Sequence, residues 1–224
     1  MRIVSTGHVN LDLLLGGGFQ YGGLVEVYGP PSSGKTTLAL QLMQLASRSH
    51  KRCLYIDAEK SLSPARAFSV LYKEGKPLTP DVDSCYYCGV GDVLLLYQIL
   101  QRVAFAYDLV VVDTWTALTA EGEKQLSYAK DMLANWLYTF ASSQERMVLI
   151  LQQLRYNETY DALLPGGGWS LRKRLVRSID LGHQDILPWD THQFDLGTKS
   201  AILSPNAHVR SFLLRYEEGD VPKS

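Results

Sequence analysis

The most specific chemical signal in the chain lies in residues 29–36. They read GPPSSGKT, which is the G-x-x-x-x-G-K-T pattern of a phosphate-binding loop. In such a loop the backbone N–H groups point at phosphate oxygens, the lysine reaches the β- and γ-phosphates, and the next hydroxyl contacts Mg²⁺. An apolar run at 24–28 and a helix-like segment at 37–43 flank the loop, which favours a nucleoside triphosphate site over a glycine-rich surface turn. The predicted nucleotide-binding residues are Gly29, Pro30, Pro31, Ser32, Ser33, Gly34, Lys35, Thr36 and Thr37.

Two acidic strand ends supply the remaining chemistry of such a site. Residues 109–112 are apolar without alternation, as in a strand covered on both faces, and Asp113 follows them. Ligands of open α/β sheets gather at the carboxyl ends of strands, so Thr36 and Asp113 are the predicted Mg²⁺ ligands. Residues 53–59 predict another strand, which delivers two carboxylates to its end. Hydrolysis needs a carboxylate that activates water, and Glu59 is the candidate, with a solvated loop glutamate as the alternative.

Hydrophobic periodicity predicts alternating strands and helices. A helix is expected over residues 92–105, with Asp92 as its N-cap, and another over 124–142. The later strands are expected at 147–151, 200–203 and 209–216. The pattern predicts an α/β fold with a mainly parallel central sheet, helices on both faces and an antiparallel C-terminal edge.

Length and composition fit one domain. With 224 residues and 46% hydrophobic content, the chain can bury a substantial core, and a single domain over residues 1–224 is expected. It has no apolar stretch of about eighteen residues and no pattern of a secretory signal, so a cytoplasmic protein without a membrane segment is expected. Three cysteines fit a reducing compartment. Cys85 and Cys88 have the spacing of metal ligands, but without a second pair they are interpreted as packing residues.

The chain carries distinctive segments at residues 5–7, 11–12, 14–18, 25–30, 32–38, 56–59, 111–114, 117–119, 149–155 and 212–219. In this order they resemble the RecA family of recombination ATPases. The resemblance spans about residues 5–219 and implies a RecA-like phosphate-loop NTPase core that binds ATP and Mg²⁺. It implies that Lys35, Glu59 and Gln153 are catalytic, with Gln153 sensing the γ-phosphate. It also places Arg66 where the family stacks an aromatic residue on adenine, which a guanidinium plane can do as well.

A glycine-rich and basic segment follows Gln153. Residues 165–168 read PGGG and are expected to be irregular, and four cations follow within residues 172–177. Such cations can neutralise a nucleic-acid backbone while an aromatic residue stacks on a base, although a solvated helix face is the alternative. The RecA resemblance identifies this segment as the second DNA-binding loop and the helix after it, so single-stranded DNA is the expected ligand. The predicted DNA-binding residues are Arg155, Gly167, Gly168, Trp169, Arg172, Lys173 and Arg174.

Departures from the RecA pattern bear on assembly. Only four residues precede Ser5, so the N-terminal strand that links RecA subunits is expected to be missing, and residues 202–206 contain none of the family's bridging lysines. At most a weak homo-oligomer is therefore expected. The first DNA-binding loop is expected to be short, around residues 120–125. Because the formal net charge is −1, any nucleic-acid footprint must be local.

The sequence is compatible with two functions. The first is a DNA-dependent ATPase of homologous recombination and DNA repair, a recombinase or mediator that binds ATP, Mg²⁺ and single-stranded DNA. The second is a non-catalytic RecA-like adaptor that binds a DNA polymerase or recombinase partner, as in translesion synthesis. The missing subunit-bridging features favour the adaptor. The ATPase is favoured by the complete set of Lys35, Thr36, Glu59 and Asp113, which an adaptor has little physical need to keep.

Overall fold

A sheet of mostly parallel strands organises the chain. The computed structural model describes residues 3–63, 65, 67, 72–73, 76–77, 84–142, 145–157, 162–165, 171, 174–181, 192–196 and 199–203. The helices are α1 (Val9–Leu15), α2 (Lys35–Ser47), α3 (Val93–Val103) and α4 (Glu123–Ala141). The strands are β1 (Ile3–Val4), β2 (Phe19–Gln20), β3 (Gly23–Gly29), β4 (Cys53–Asp57), β5 (Tyr72–Lys73), β6 (Lys76–Pro77), β7 (Cys85–Gly89), β8 (Leu109–Asp113), β9 (Met147–Asn157), β10 (Ala162–Pro165), β11 (Leu175–Leu181), β12 (His192–Leu196) and β13 (Lys199–Leu203).

Six strands lie side by side in parallel, in the order β11-β3-β9-β8-β4-β7. Next to β11, the strands β13 and β12 pair antiparallel, which confirms the predicted α/β fold with an antiparallel C-terminal edge. The register pairs Gly29 with Gln153 and Asp57 with Asp113. These four residues lie on one side of the sheet, which we refer to as its carboxyl edge. The segments predicted to carry the chemistry therefore converge at one edge.

Helices cover both faces of the sheet, which explains the uninterrupted apolar strands. Every residue of β8 is buried. Leu109 and Val111 belong to the core cluster on the side of α1 and α2, whereas Val110 and Val112 belong to the cluster on the side of α3 and α4. A sheet with one solvated face would expose alternate residues. The prediction of a strand covered on both sides is therefore confirmed.

Local sequence signals define α3 and α4, the two helices that cover one face of the sheet. Asp92 caps α3, because its carboxylate accepts a hydrogen bond from the Leu95 N–H at 2.7 Å, as predicted. Along α4 the buried residues recur at helical spacing and form one apolar stripe. The buried residues of this stripe include Ala129, Leu133, Leu137 and Phe140. Because α4 begins at Glu123, the short loop predicted at 120–125 ends at Gly122.

Near the carboxyl edge, three element boundaries differ from the predictions. The helix after the phosphate-binding loop begins at Lys35 and not at residue 37, so Lys35 lies in its first turn. β4 ends at Asp57, and Glu59 lies beyond the strand. β9 continues to Asn157, well past the predicted end at residue 151. The apolar pattern that predicted β9 stops where polar residues begin, but pairing with β10 sustains the strand there.

Two predictions for the segment after Gln153 are wrong. Pro165 is not irregular, because it ends β10 and is paired with Leu154. In the described residues β10 pairs only with β9. Proline is tolerated on such an edge strand, where its nitrogen can face away from the partner strand. The predicted helix is a strand from Leu175 onward, so Arg177 lies in β11. Parallel pairing with β3 holds this segment in the strand conformation. A run of charged residues does not indicate that the segment will pair with a strand so far away in the sequence.

The paired cysteines lie on opposite faces of β7. Cys85 packs against the cluster beside α2, whereas Cys88 packs against the cluster beside α3 and α4. This follows because residues three apart in a strand point to opposite sides. The two thiols cannot bind one metal ion together, in agreement with their interpretation as packing residues.

The strand predicted at 209–216 lies outside the described residues. No helix within the described ranges combines the length and apolar character needed to cross a membrane.

Candidate active site

The phosphate-loop sequence forms the turn between β3 and α2. β3 ends at Gly29, and α2 begins at Lys35 with Gly34 as its N-cap. Gly34 has φ 96° and Ser32 has φ 62°, so the turn uses the left-handed backbone region that favours glycine. This path brings the first turn of α2 to the carboxyl edge. The N–H groups and the positive dipole end of such a helix terminus are suited to bind an anion.

The Lys35 side chain folds back over the turn. Its Nζ donates to the carbonyl oxygens of Gly29 at 2.9 Å and Pro30 at 2.7 Å, and it lies 3.3 Å from Ser33 Oγ. Lys35 is only 7% exposed, and such a buried ammonium group needs oxygen partners because losing hydration is costly. The loop supplies those partners. A phosphate that enters the turn can offer the same donor atom stronger, charged acceptors.

A buried carboxylate lies beside the first turn of α2. Asp113 is 7% exposed, and its Oδ2 accepts hydrogen bonds from Thr36 Oγ1 at 2.8 Å and from the Tyr55 hydroxyl. Burial raises the pKa of the Asp113 carboxyl, the two hydrogen bonds oppose that rise, and the charges of Glu59 and Asp57 add to it. The two residues predicted to bind Mg²⁺ are therefore in contact. Their oxygens are the hard donors that Mg²⁺ prefers.

Glu59 connects three neighbouring strands. It follows β4, and its Oε1 accepts hydrogen bonds from Thr114 Oγ1, just after β8, and from Gln153 Nε2 on β9, each at 2.8 Å. The Thr114 hydroxyl also lies 3.0 Å from the Thr116 hydroxyl. Glu59 itself is exposed. The predicted catalytic glutamate and the predicted γ-phosphate sensor thus touch each other directly, at a position that solvent reaches.

Asp57 supports the segment that carries Glu59. It is 1% exposed and accepts hydrogen bonds from the backbone N–H of Ser61 at 3.2 Å and Leu62 at 2.9 Å, and from the Tyr87 hydroxyl at 3.1 Å. The chain therefore turns around this carboxylate directly after β4. Of the two acidic residues in this segment, Asp57 has a structural role and Glu59 is the accessible one.

Arg155 lies two residues beyond the sensor position, and a second cation, Lys130, lies near Arg155. Arg155 is exposed, lies on the same side of β9 as Gln153 because it is two residues farther along the strand, and donates from Nη2 to the Thr116 carbonyl at 3.1 Å. Lys130 of α4 is partly buried. Burial first, and then the charge of Arg155, lower the pKa of Lys130 to about 8. Two neighbouring cations that repel each other form a favourable place for an anion such as a nucleic-acid phosphate.

The other predicted DNA-binding residues are only partly described. Arg174 donates its backbone N–H to the Leu171 carbonyl at 2.9 Å, and its Nη2 donates to Asn135 Oδ1 of α4 at 3.4 Å. Arg174 therefore contacts the helix that carries Lys130. The predicted residues outside the described ranges are Arg66, Gly167, Gly168, Trp169, Arg172 and Lys173.

Sequence reasoning missed three residues of this constellation. Thr114 directly follows the predicted Mg²⁺ ligand Asp113, but nothing in the sequence indicates that it contacts Glu59. Tyr55 is a hydroxyl-bearing residue in an otherwise apolar strand centre, which is the one signal that could have indicated it. Lys130 is a single lysine on an amphipathic helix and carries no sequence signal of its own.

Comparison with known proteins agrees with this arrangement. The family described as RecA N-terminal domain matches residues 1–137 of the chain, which is more than half of its length. The crystal structure of the RadB recombinase is 29% identical to the chain, with a TM-score of 0.68, and the match covers 90% of this chain and 89% of that one. The chain therefore belongs to the RecA family of recombination proteins.

Proposed function

We propose that this protein binds ATP with Mg²⁺, binds single-stranded DNA, and hydrolyses ATP in response to DNA during recombination or repair. The observation that carries the proposal is the direct contact of Glu59 with Gln153 at the edge where the phosphate-loop turn and Asp113 also lie. Membership of the RecA family and the similarity to a recombinase support the recombination role.

Each residue of the site has a separate task in this proposal. Lys35 and the N–H groups of the turn are suited to hold the β- and γ-phosphates. Thr36 and Asp113 would hold Mg²⁺, which, when bound, neutralises charge on these phosphates. Glu59 is suited to orient a water molecule and accept its proton. The hydrogen bonds from Thr114 and Gln153 fix the direction of the Glu59 carboxylate.

A closed set of contacts links this chemistry to the proposed DNA position. Gln153 contacts Glu59, and Arg155 on the same strand contacts the Thr116 carbonyl. Thr116 contacts Thr114, which returns to Glu59. A phosphate of DNA that draws Arg155 away from Thr116 therefore disturbs the residues that orient Glu59. This supports coupling between DNA binding and hydrolysis.

ATP hydrolysis measured with and without single-stranded DNA tests the proposal. The Glu59→Gln variant is expected to bind ATP within a few-fold of the wild type but to lose turnover by roughly 10²-fold or more, as for loss of a general base. Glu145→Gln is the matched control, because Glu145 is an exposed glutamate just before β9, at the opposite edge of the sheet. Equal turnover in the wild type and Glu59→Gln would remove Glu59 from the mechanism. A wild type without DNA-stimulated hydrolysis would favour the adaptor function.

A further inference from the structure

Tyr55 brings a hydroxyl group to the buried carboxylate of the site. It lies in β4, is 2% exposed and belongs to the core cluster beside α2. The register places it opposite Val111 of β8, two residues before Asp113. From there its hydroxyl donates to Asp113 Oδ2. A phenylalanine would fill the same core volume, so packing does not explain the hydroxyl.

The same oxygen accepts a second hydrogen bond, from Thr36 Oγ1 at 2.8 Å. One donor comes from β4 and the other from α2, so Asp113 Oδ2 is held from two different elements. Within the described part of the chain, both of these side-chain hydrogen bonds go to Oδ2 and none goes to Oδ1. Two donors on one oxygen restrict rotation of the carboxylate and leave the other oxygen for a cation or its water.

The surroundings fit a hard divalent cation. Thr36 Oγ1 and the Asp113 carboxylate supply oxygen donors, and the charges of Glu59 and Asp57 act on the same position. Groups that hydrogen-bond to a metal ligand commonly fix its orientation, and their loss typically lowers metal affinity by roughly 10- to 100-fold. Tyr55 has the geometry of such a group.

We propose that Tyr55 is a positioning residue for magnesium, whose hydroxyl holds the Asp113 carboxylate in the orientation that nucleotide-bound Mg²⁺ requires. The inference rests on the proposed ATP·Mg²⁺ function. A hydroxyl that only satisfies its own hydrogen bond would affect the free energy of unfolding and nothing else. A positioning hydroxyl changes the Mg²⁺ dependence of nucleotide binding. Binding without metal stays the same, because it depends on Lys35 and the backbone of the turn.

The test measures binding of a fluorescent, non-hydrolysable ATP analogue in a Mg²⁺ titration and again in excess chelator. The variant Tyr55→Phe removes the hydroxyl and keeps the ring. Tyr21→Phe is the matched control, because Tyr21 is a buried tyrosine of the same core cluster. A second variant carries 4-aminophenylalanine at position 55, which restores a donor. Circular dichroism establishes that each variant is folded.

For Tyr55→Phe we expect the Mg²⁺ concentration at half-saturation to rise roughly 10-fold or more, with metal-free affinity within about two-fold of the wild type. The aminophenylalanine variant and Tyr21→Phe should keep a Mg²⁺ concentration at half-saturation close to that of the wild type. The aminophenylalanine variant tests the inference even if Tyr55→Phe does not fold. A wild-type Mg²⁺ dependence in Tyr55→Phe, or a large loss in the aminophenylalanine variant, would overturn the inference. A wild-type protein that binds no nucleotide at any Mg²⁺ concentration would instead refute the proposed function.

Discussion

The contact between Gln153 and Glu59 makes the proposed link between ATP and DNA testable with one substitution. Gln153→Ala removes the amide that donates to Glu59 at 2.8 Å and leaves the phosphate-loop turn and Arg155 in place. We therefore expect ATP affinity and DNA affinity, each measured alone, to stay within a few-fold of the wild type. The expected loss is in the effect of one ligand on the other, which must be reciprocal.

The size of that effect follows from the contacts that can change. The Gln153–Glu59 and Arg155–Thr116 hydrogen bonds both involve side chains that water reaches, and each such bond contributes about 1 kcal/mol net. If DNA and nucleotide change both contacts, the coupling is about 2 kcal/mol, or roughly 30-fold in DNA affinity. Without the Gln153 amide, at most about 1 kcal/mol remains, or roughly five-fold.

Fluorescence anisotropy of a labelled single-stranded oligonucleotide, titrated with and without a non-hydrolysable ATP analogue, measures the coupling directly. Gln101→Ala is the matched control, because Gln101 is an exposed glutamine of α3 and should keep the full effect. A Gln153→Ala variant that retains the wild-type coupling would show that Gln153 is not the connecting residue. If the wild-type protein has the same DNA affinity with and without the ATP analogue, the proposed coupling between ATP and DNA is refuted.

Two further predictions concern the lysines. Lys35→Ala should abolish ATP binding in calorimetry while lowering the free energy of unfolding by only about 1–2 kcal/mol, since two loop carbonyls lose a donor. Lys60→Ala is the control, because Lys60 is exposed. Unchanged ATP affinity in Lys35→Ala would contradict the proposed site. For Lys130, DNA affinity should fall as the pH rises through about 8, where Lys130 of the folded protein loses its proton. The free energy of unfolding should rise between about pH 8 and pH 10.5, because the unfolded chain binds more protons than the folded protein in that range. Lys130→Gln should lose both dependences and the exposed control Lys124→Gln should keep them; a wild-type pH profile in Lys130→Gln would contradict this.

Local patterns were sufficient to predict the main elements of the fold. The phosphate loop is a run of consecutive residues whose types dictate the turn, and residues 109–113 form the predicted strand, buried throughout. Asp92 caps α3 through its own side chain, so this signal also lies within four residues of sequence. In each case the interactions that decide the structure lie within one element or its immediate flanks.

Contacts between distant segments could not be predicted in this way. Tyr55 meets Asp113, and Thr114 meets Glu59, because β4 and β8 pair in one register. A shift of that register by one residue would turn these side chains to the other face. The extension of β9 beyond residue 151 also depends on a contact with another segment. Pairing with β10 stabilises the strand there, and the sequence of β9 alone does not indicate that pairing.

That extension changes the physical basis of the proposed coupling. Gln153 and Arg155 lie within β9, and β10 pairs with Leu154 and Arg155, so the two side chains share a hydrogen-bonded strand. A flexible loop could absorb a displacement of Arg155 within its own backbone dihedrals. A paired strand resists such local adjustment, and a pull on Arg155 reaches Gln153 two residues away. DNA contact is therefore proposed to act on Glu59 through a paired strand, which can transmit a displacement between the two sites.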